Sequence, residues 1–212
     1  MRLALCSLKG GVGKTSLAFS LAKDLDYRYV TNDLSLIIQK YSKAKFFPKK
    51  IPLYEDTIYD FGGFDSSYVN DILFDMDLII IPTINDINSM FKTLEVLRKV
   101  KGQKVIVVAN VVEKQKDFDD IKLVVNHYYK NVIVTYFRKS VLLKNAIEEN
   151  KSARLLFNEN KSHKNPYKDY ENILNFVEKN YIQHLKPIEA KSIRTMDKKD
   201  KDRINKRATL IN

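Results

Sequence analysis

Short apolar runs alternate with amphipathic stretches along most of this chain. Arg2-Leu-Ala-Leu-Cys6, Tyr27–Val30, Thr57-Ile-Tyr-Asp-Phe-Gly-Gly63, Asp77–Ile81, Lys104–Ala109 and Val132–Val134 have strand length and end in turn-forming residues. Between them, Leu17–Ala22, Ser67–Phe74, Asn88–Val100, Phe118–Tyr129, Val141–Glu149 and Tyr170–Tyr181 read as helices. The clearest is Asn88–Val100, where Phe91, Leu94, Leu97 and Val100 recur at helical spacing. Several strand runs are apolar at successive positions, which predicts burial on both faces. The fold class that follows is α/β, a mainly parallel sheet with helices on both faces.

Two regions depart from this rhythm. Between Lys40 and Lys50 the chain carries Lys40, Lys43, Lys45, Lys49 and Lys50 and no acid. Residues 185–212 hold nine Lys or Arg against four Asp or Glu, a local charge of +5, with few large apolar groups. The expected organisation is one α/β domain over residues 1–184, then a basic, solvated and mobile tail over residues 185–212. No repeat is found.

Composition narrows the function classes. A chain of 212 residues with 44% hydrophobic residues can bury a core. No apolar run approaches the roughly 20 residues of a membrane span. Met1 leads straight into the first strand, leaving no room for a signal peptide. The single Cys6 cannot form an internal disulfide and suits a reducing cytoplasm. It also argues against an iron–sulfur cluster, which needs several cysteines. The net charge of +11 favours a polyanionic partner such as DNA, RNA or an anionic membrane surface.

The candidate chemistry lies between the first strand and the first helix, in Lys9-Gly10-Gly11-Val12-Gly13-Lys14-Thr15-Ser16. Glycines let successive backbone N–H groups converge on phosphate oxygens, and the helix N-terminus adds partial positive charge there. In this pattern Lys14 reaches the β- and γ-phosphates and the Thr15 hydroxyl ligates Mg²⁺. Asp60 closes an apolar strand before Gly62-Gly63, where a carboxylate can hold Mg²⁺ through a coordinated water. Gly62 and Gly63 would let the next loop rearrange around the terminal phosphate. Asp33, at the end of the second strand, faces the same sheet edge in this topology.

With Lys9 ahead of the glycines, the motif resembles the deviant Walker A loop of the ParA/MinD family of dimerising P-loop ATPases, most closely the small plasmid-type ParA proteins. The resemblance covers about residues 1–184. It implies a P-loop NTPase fold that binds ATP and Mg²⁺, with Lys9 reaching the nucleotide of the other subunit of a homodimer. The catalytic set it implies is Lys9, Lys14 and Asp33, and the metal set is Thr15 and Asp60. Asp33 matches the second Asp of the family's D-x-D-P-Q stretch, whereas the first Asp, the Pro and the Gln are missing from Thr31-Asn32-Asp33-Leu34-Ser35. Gly10, Gly11, Val12, Gly13, Lys14, Thr15 and Ser16 would hold the phosphates, Asn110 would read the adenine edge, and Tyr136-Phe137-Arg138 resembles the loop that packs on the base. The stretch between Asp33 and Asp60 is shorter than in most of the family, so a βα unit is expected to be trimmed.

The resulting expectation is an ATP-dependent switch for plasmid or chromosome partitioning, binding DNA without sequence preference as an ATP-bound dimer in the nucleoid. Hydrolysis is expected to be slow and stimulated by a centromere-binding, ParB-like partner. Residues 138–168 carry eight basic and three acidic side chains, and Arg154, Lys161 and Lys164 are the candidate DNA contacts. Two other readings stand beside it. One is a MinD-like membrane-cycling ATPase, for which Ile204, Ala208 and Ile211 form a meagre apolar stripe. The other is a nucleotide-binding scaffold with negligible turnover, suggested by the missing partners of Asp33.

Overall fold

The computed structural model describes residues 1–62, 67–178 and 187–190. Seven strands make one sheet: β1 (Arg2–Cys6), β2 (Arg28–Thr31), β3 (Ala44–Phe46), β4 (Thr57–Phe61), β5 (Leu78–Thr83), β6 (Val105–Val112) and β8 (Ile133–Arg138). Their order is β3-β2-β4-β1-β5-β6-β8, and every neighbouring pair is parallel. Parallel strands need crossovers, supplied by α1 (Lys14–Asp24), α2 (Ile37–Lys40), α3 (Ser67–Leu73), α4 (Ile87–Lys99) and α5 (Gln115–Tyr128). Helices α6 (Leu142–Glu148), α7 (Ala153–Glu159) and α8 (Lys164–Val177) follow β8.

Strand alternation divides the core into two layers. Leu3, Leu5, Tyr29, Ile58, Ile80, Val108 and Phe137 face the layer closed by α1, α6, α7 and α8. Ala4, Cys6, Val30, Tyr59, Phe61, Ile79, Ile81 and Val107 face the layer closed by α3, α4 and α5. The apolar runs of the sequence are therefore buried on both sides. Asp60 lies on the α1 face by the same alternation, two residues after Ile58.

The helix after β1 and the helix after β4 cover opposite faces, while β1 and β4 are neighbours. That reversal opens a crevice beyond the carboxyl ends of the two strands, where ligands gather in such sheets. The loop from Ser7 to Gly13 lies there.

The trimmed region keeps a vestige of its βα unit. One turn of helix, α2, leads to the three-residue β3, which pairs with β2 at Tyr29–Ala44, Val30–Lys45 and Thr31–Phe46. The lysines that hid this strand suit an edge, where charge blunts further pairing. Helix α7 was not expected; Ser152 caps it by accepting from the Leu155 N–H at 3.1 Å. Helix α8 begins earlier than its apolar periodicity suggested, since Pro166 is tolerated in a first turn. Strands β6 and β8 also run past their expected ends.

Residues 187–190 pack on the domain. Ile188 is buried in the α3–α5 layer, and its backbone binds Gln103 and Gly102. Glu189–Ala190 (β9) pairs antiparallel with Tyr129–Lys130 (β7). The rest of the expected tail, including the stripe Ile204, Ala208 and Ile211, lies outside the described residues, as does the end of the helix expected to reach Tyr181. Among the described residues, no helix is long and apolar enough to cross a membrane.

Helix α8 docks on β8 through an ion pair. Asp169 is 2% exposed and accepts from Arg138 Nε at 2.6 Å, Nη2 at 2.9 Å and the Arg138 backbone N–H at 3.1 Å. Replacing Asp169 with Ala leaves the Arg138 guanidinium and the Arg138 backbone N–H without their shared acceptor. We expect Asp169→Ala to cost about 2–3 kcal/mol and Asp169→Asn less, read from urea denaturation midpoints.

Candidate functional site

The chain leaves β1 at Cys6 and turns through Ser7, whose Oγ accepts from the Lys9 N–H at 3.1 Å. Gly13 is the N-cap of α1 at φ 82°, with no side-chain cap and no acid in the first helical turn. The first N–H groups of an eleven-residue helix therefore open on the loop with their dipole uncompensated, a setting that attracts an anion. Besides its left-handed φ, Gly13 has no room for a side chain: a Cβ would lie 2.1 Å from Asn110 Nδ2. Around this loop lies a cavity of about 520 Å³, walled by Ser7 to Ser16 together with Asp33 and Gly62. Lys9, Gly10 and Gly11 are exposed at its rim.

Behind Lys14 and Thr15, Asp60 of β4 is 2% exposed and receives three hydrogen bonds. Lys14 Nζ donates to Oδ1 at 2.7 Å, Thr15 Oγ1 donates to Oδ2 at 2.8 Å, and the Tyr29 hydroxyl donates to Oδ2 at 2.5 Å. Burial first and the Asp60 charge second hold the Tyr29 phenol far above its usual range, so it remains a donor. Burial also pushes the Cys6 thiol up to about 12 against the opposing charge of Lys14. It is thus an inert core residue and no nucleophile.

The turn after β2 grips the end of β4. Asn32 Oδ1 accepts from the Gly62 N–H at 2.7 Å. Asp33 packs so closely that a Cβ on Gly62 would meet its Cβ at 2.5 Å and its Oδ2 at 2.7 Å. Thr31 Oγ1 accepts from the Asp33 N–H at 3.1 Å, which fixes the turn. Asp33 is thereby held in the cavity wall. Gly63, the second glycine of the expected switch, lies outside the described residues.

Asn110 reaches the loop from another strand. β6 bulges between Ala109 and Val112, and Val111 takes φ 57°, an unusual value for a β-branched residue. The bulge lets Asn110 Nδ2 donate to the Val12 carbonyl at 2.8 Å, while its Oδ1 accepts from the Val111 N–H at 2.9 Å. Phe137 and Arg138 are not brought to the cavity. Phe137 is 3% exposed in the core beneath α1 and α8, and Arg138 is committed to Asp169.

The candidate DNA contacts gather at one corner, where α7, a 3-10 turn (Lys161–His163) and α8 meet. Arg154, Lys161 and Lys164 are all exposed there. Lys161 Nζ stands 4.0 Å from the centroid of Phe157, which stacks on Tyr167 at 4.3 Å. The Arg154 N–H and the Tyr170 hydroxyl both donate to Asp24 Oδ2, at the far end of α1.

The donor set fits a polyphosphate and a hard divalent cation. An anion in the loop would meet the N-terminus of α1 and, on release from Asp60, the Lys14 ammonium. Thr15 and Asp60 supply adjacent oxygens of the sparse kind that Mg²⁺ takes alongside water and phosphate ligands. Tyr29 and Asn32 were not among the candidates in the sequence. A tyrosine in a strand reads as core, and neither residue belongs to the phosphate motif.

Because the Asp33 side chain, from its Cβ outward, leaves no space beside Gly62, a single methyl there must displace the turn after β2 from the end of β4. Gly62→Ala is expected to cost about 1–3 kcal/mol and to lower the melting temperature. Gly10→Ala, where a Cβ meets nothing within 4 Å, should leave it nearly unchanged.

No protein-family model matches the chain, and no curated protein sequence does. Solved structures do. Apo McdA from Cyanothece aligns with a TM-score of 0.64 at 13% identity, over 84% of this chain and 99% of that one. A ParA family ATPase from Chlorobium tepidum gives 0.57 at 12% identity, over 84% and 98%. The septum site-determining protein MinD from Pyrococcus horikoshii, complexed with Mg-ADP, gives 0.54 at 14% identity, over 81% and 95%. At such identities the likeness is one of fold. The chain has the P-loop NTPase fold that McdA, ParA and MinD ATPases share.

Proposed function

We propose that this protein is a ParA/MinD-type ATPase switch that binds ATP with Mg²⁺, dimerises, and in that state binds DNA without sequence preference to partition a DNA cargo. The observation that carries the reading is the convergence of Lys14, Thr15 and Asp60 beneath a glycine loop, with Lys9 exposed at the rim. The fold shared with three kinds of positioning and partition ATPases supports it, one of them solved with Mg-ADP.

In this proposal the loop and the α1 N-terminus bind the triphosphate, Lys14 moves from Asp60 to the β- and γ-phosphates, and Thr15 and Asp60 hold Mg²⁺. Bound Mg²⁺ supplies charge neutralisation on the phosphates. Asp33, fixed in the cavity wall, orients the attacking water. Lys9 projects from the rim toward the nucleotide of a second subunit, so turnover depends on dimerisation. Asn110 contributes to adenine recognition with the second hydrogen of its amide, the first being held by Val12. Phe137 and Arg138 act from beneath, by fixing the end of β8.

A dimer doubles the exposed basic groups at Arg154, Lys161 and Lys164, and paired weak contacts strengthen binding to phosphate backbones. The centromere-binding partner and the nucleoid location belong to the same proposal.

Site variants and a DNA titration test it. Lys14→Ala should weaken ATP binding by about tenfold to a hundredfold, the worth of one or two charge-assisted hydrogen bonds. Lys9→Ala should retain ATP binding yet lose ATP-dependent doubling of mass and turnover. Unchanged ATP affinity in Lys14→Ala contradicts the site. In a DNA titration, retention should require ATP and fall steeply between two salt concentrations. Binding indifferent to nucleotide contradicts the switch, and ATP binding with no turnover in the presence of DNA favours the scaffold reading.

A further inference from the structure

We propose that Tyr29 is a positioning residue for the metal site, holding the Asp60 carboxylate in place while its other two partners leave. This rests on the reading above, in which Lys14 and Thr15 turn from Asp60 to the phosphates and Mg²⁺. In the nucleotide-free arrangement those two supply two of the three hydrogen bonds on Asp60. Tyr29 supplies the third, at 2.5 Å, and has no part in the phosphate motif.

Tyr29 is suited to the task by its surroundings. Its side chain is fully buried among Leu5, Phe19, Ile58 and Tyr41, so its ring has little freedom. It sits on β2, which is hydrogen-bonded to β4 with Thr31 opposite Asp60. Donor and acceptor thus come from adjacent strands of one sheet, whereas Lys14 and Thr15 come from the first turn of the helix that starts at the loop.

A carboxylate deprived of Lys14 and Thr15 would be free to rotate about its last torsion and to lose its aim at a metal-bound water. With Tyr29 anchoring Oδ2, Oδ1 remains directed to the place that Lys14 vacates. The hydroxyl is one of three donors to Asp60 in the nucleotide-free arrangement and the one that stays when Lys14 and Thr15 turn away, so its loss falls mainly on the Mg²⁺-bound state.

The test is calorimetric titration of ADP into the full chain at a series of MgCl₂ concentrations and in EDTA, comparing wild type with Tyr29→Phe. The expected result is an unchanged ADP affinity in EDTA, within about twofold, and a Mg²⁺ midpoint raised about tenfold. Tyr41→Phe is the control: that buried hydroxyl on the same layer donates to the Ala22 and Tyr27 carbonyls, away from Asp60. It should lower the melting temperature and keep the wild-type midpoint. Tyr29→Leu, also without a hydroxyl, serves as second variant and should repeat the shift. A wild-type midpoint in the Tyr29 variants overturns the inference, and so does an equal shift in Tyr41→Phe. Wild-type protein that binds no ADP in either condition refutes the proposed function instead.

Discussion

A carboxylate removed from water costs several kcal/mol unless donors surround it, and the organisation of the site follows from meeting that cost at Asp60. Its partners come from two elements, Lys14 and Thr15 from α1 and Tyr29 from β2. They can meet only if β4 lies between β1 and β2 and α1 covers the face to which Asp60 points. Strand order, helix side and strand register are thus all tied to one charge. A register slip of one residue in β4 would turn Asp60 to the other face and bring Tyr59 or Phe61 beneath the loop.

The same cluster sets the terms on which a polyphosphate can enter. Lys14 is neutralised by Asp60, so an incoming anion competes with a short buried ion pair for its ammonium. What favours the anion is the bare N-terminus of α1, with no acid and no side-chain cap to occupy it. In the proposed cycle, Asp60, left by Lys14, would take up a metal ion as its replacement positive charge. On that proposal phosphate and cation would support one another, because each alone would leave one member of the Lys14–Asp60 pair unbalanced.

The glycine loop before α1 and the layered sheet were legible in the sequence because both are local signals. Gly10-Gly11-Val12-Gly13-Lys14-Thr15 is contiguous, and uninterrupted apolar runs such as Leu78–Ile81 need burial on both faces. What escaped was chemistry between residues far apart in the chain. Tyr29 meets Asp60 across 31 positions and Asn110 meets Val12 across 98, and only the order of strands joins them. Phe137 and Arg138 were expected at the base by resemblance. Alternation along β8 turns Phe137 inward, and Asp169, 31 residues on, holds Arg138. Strand β3 was masked by Lys43 and Lys45, which are edge residues and no argument against a strand.

Helix α1 runs from the cavity to the corner where α7 and α8 meet. It begins at Lys14 in the phosphate loop and ends at Asp24, which accepts from the Tyr170 hydroxyl and the Arg154 N–H. Its eleven residues span about 16 Å at 1.5 Å per residue, and its apolar face is locked against β1, β4 and α6. A helix held this way moves as a body or not at all. Release of Lys14 from Asp60 removes an attraction at one end, while Asp24 ties the other end to α7 and α8.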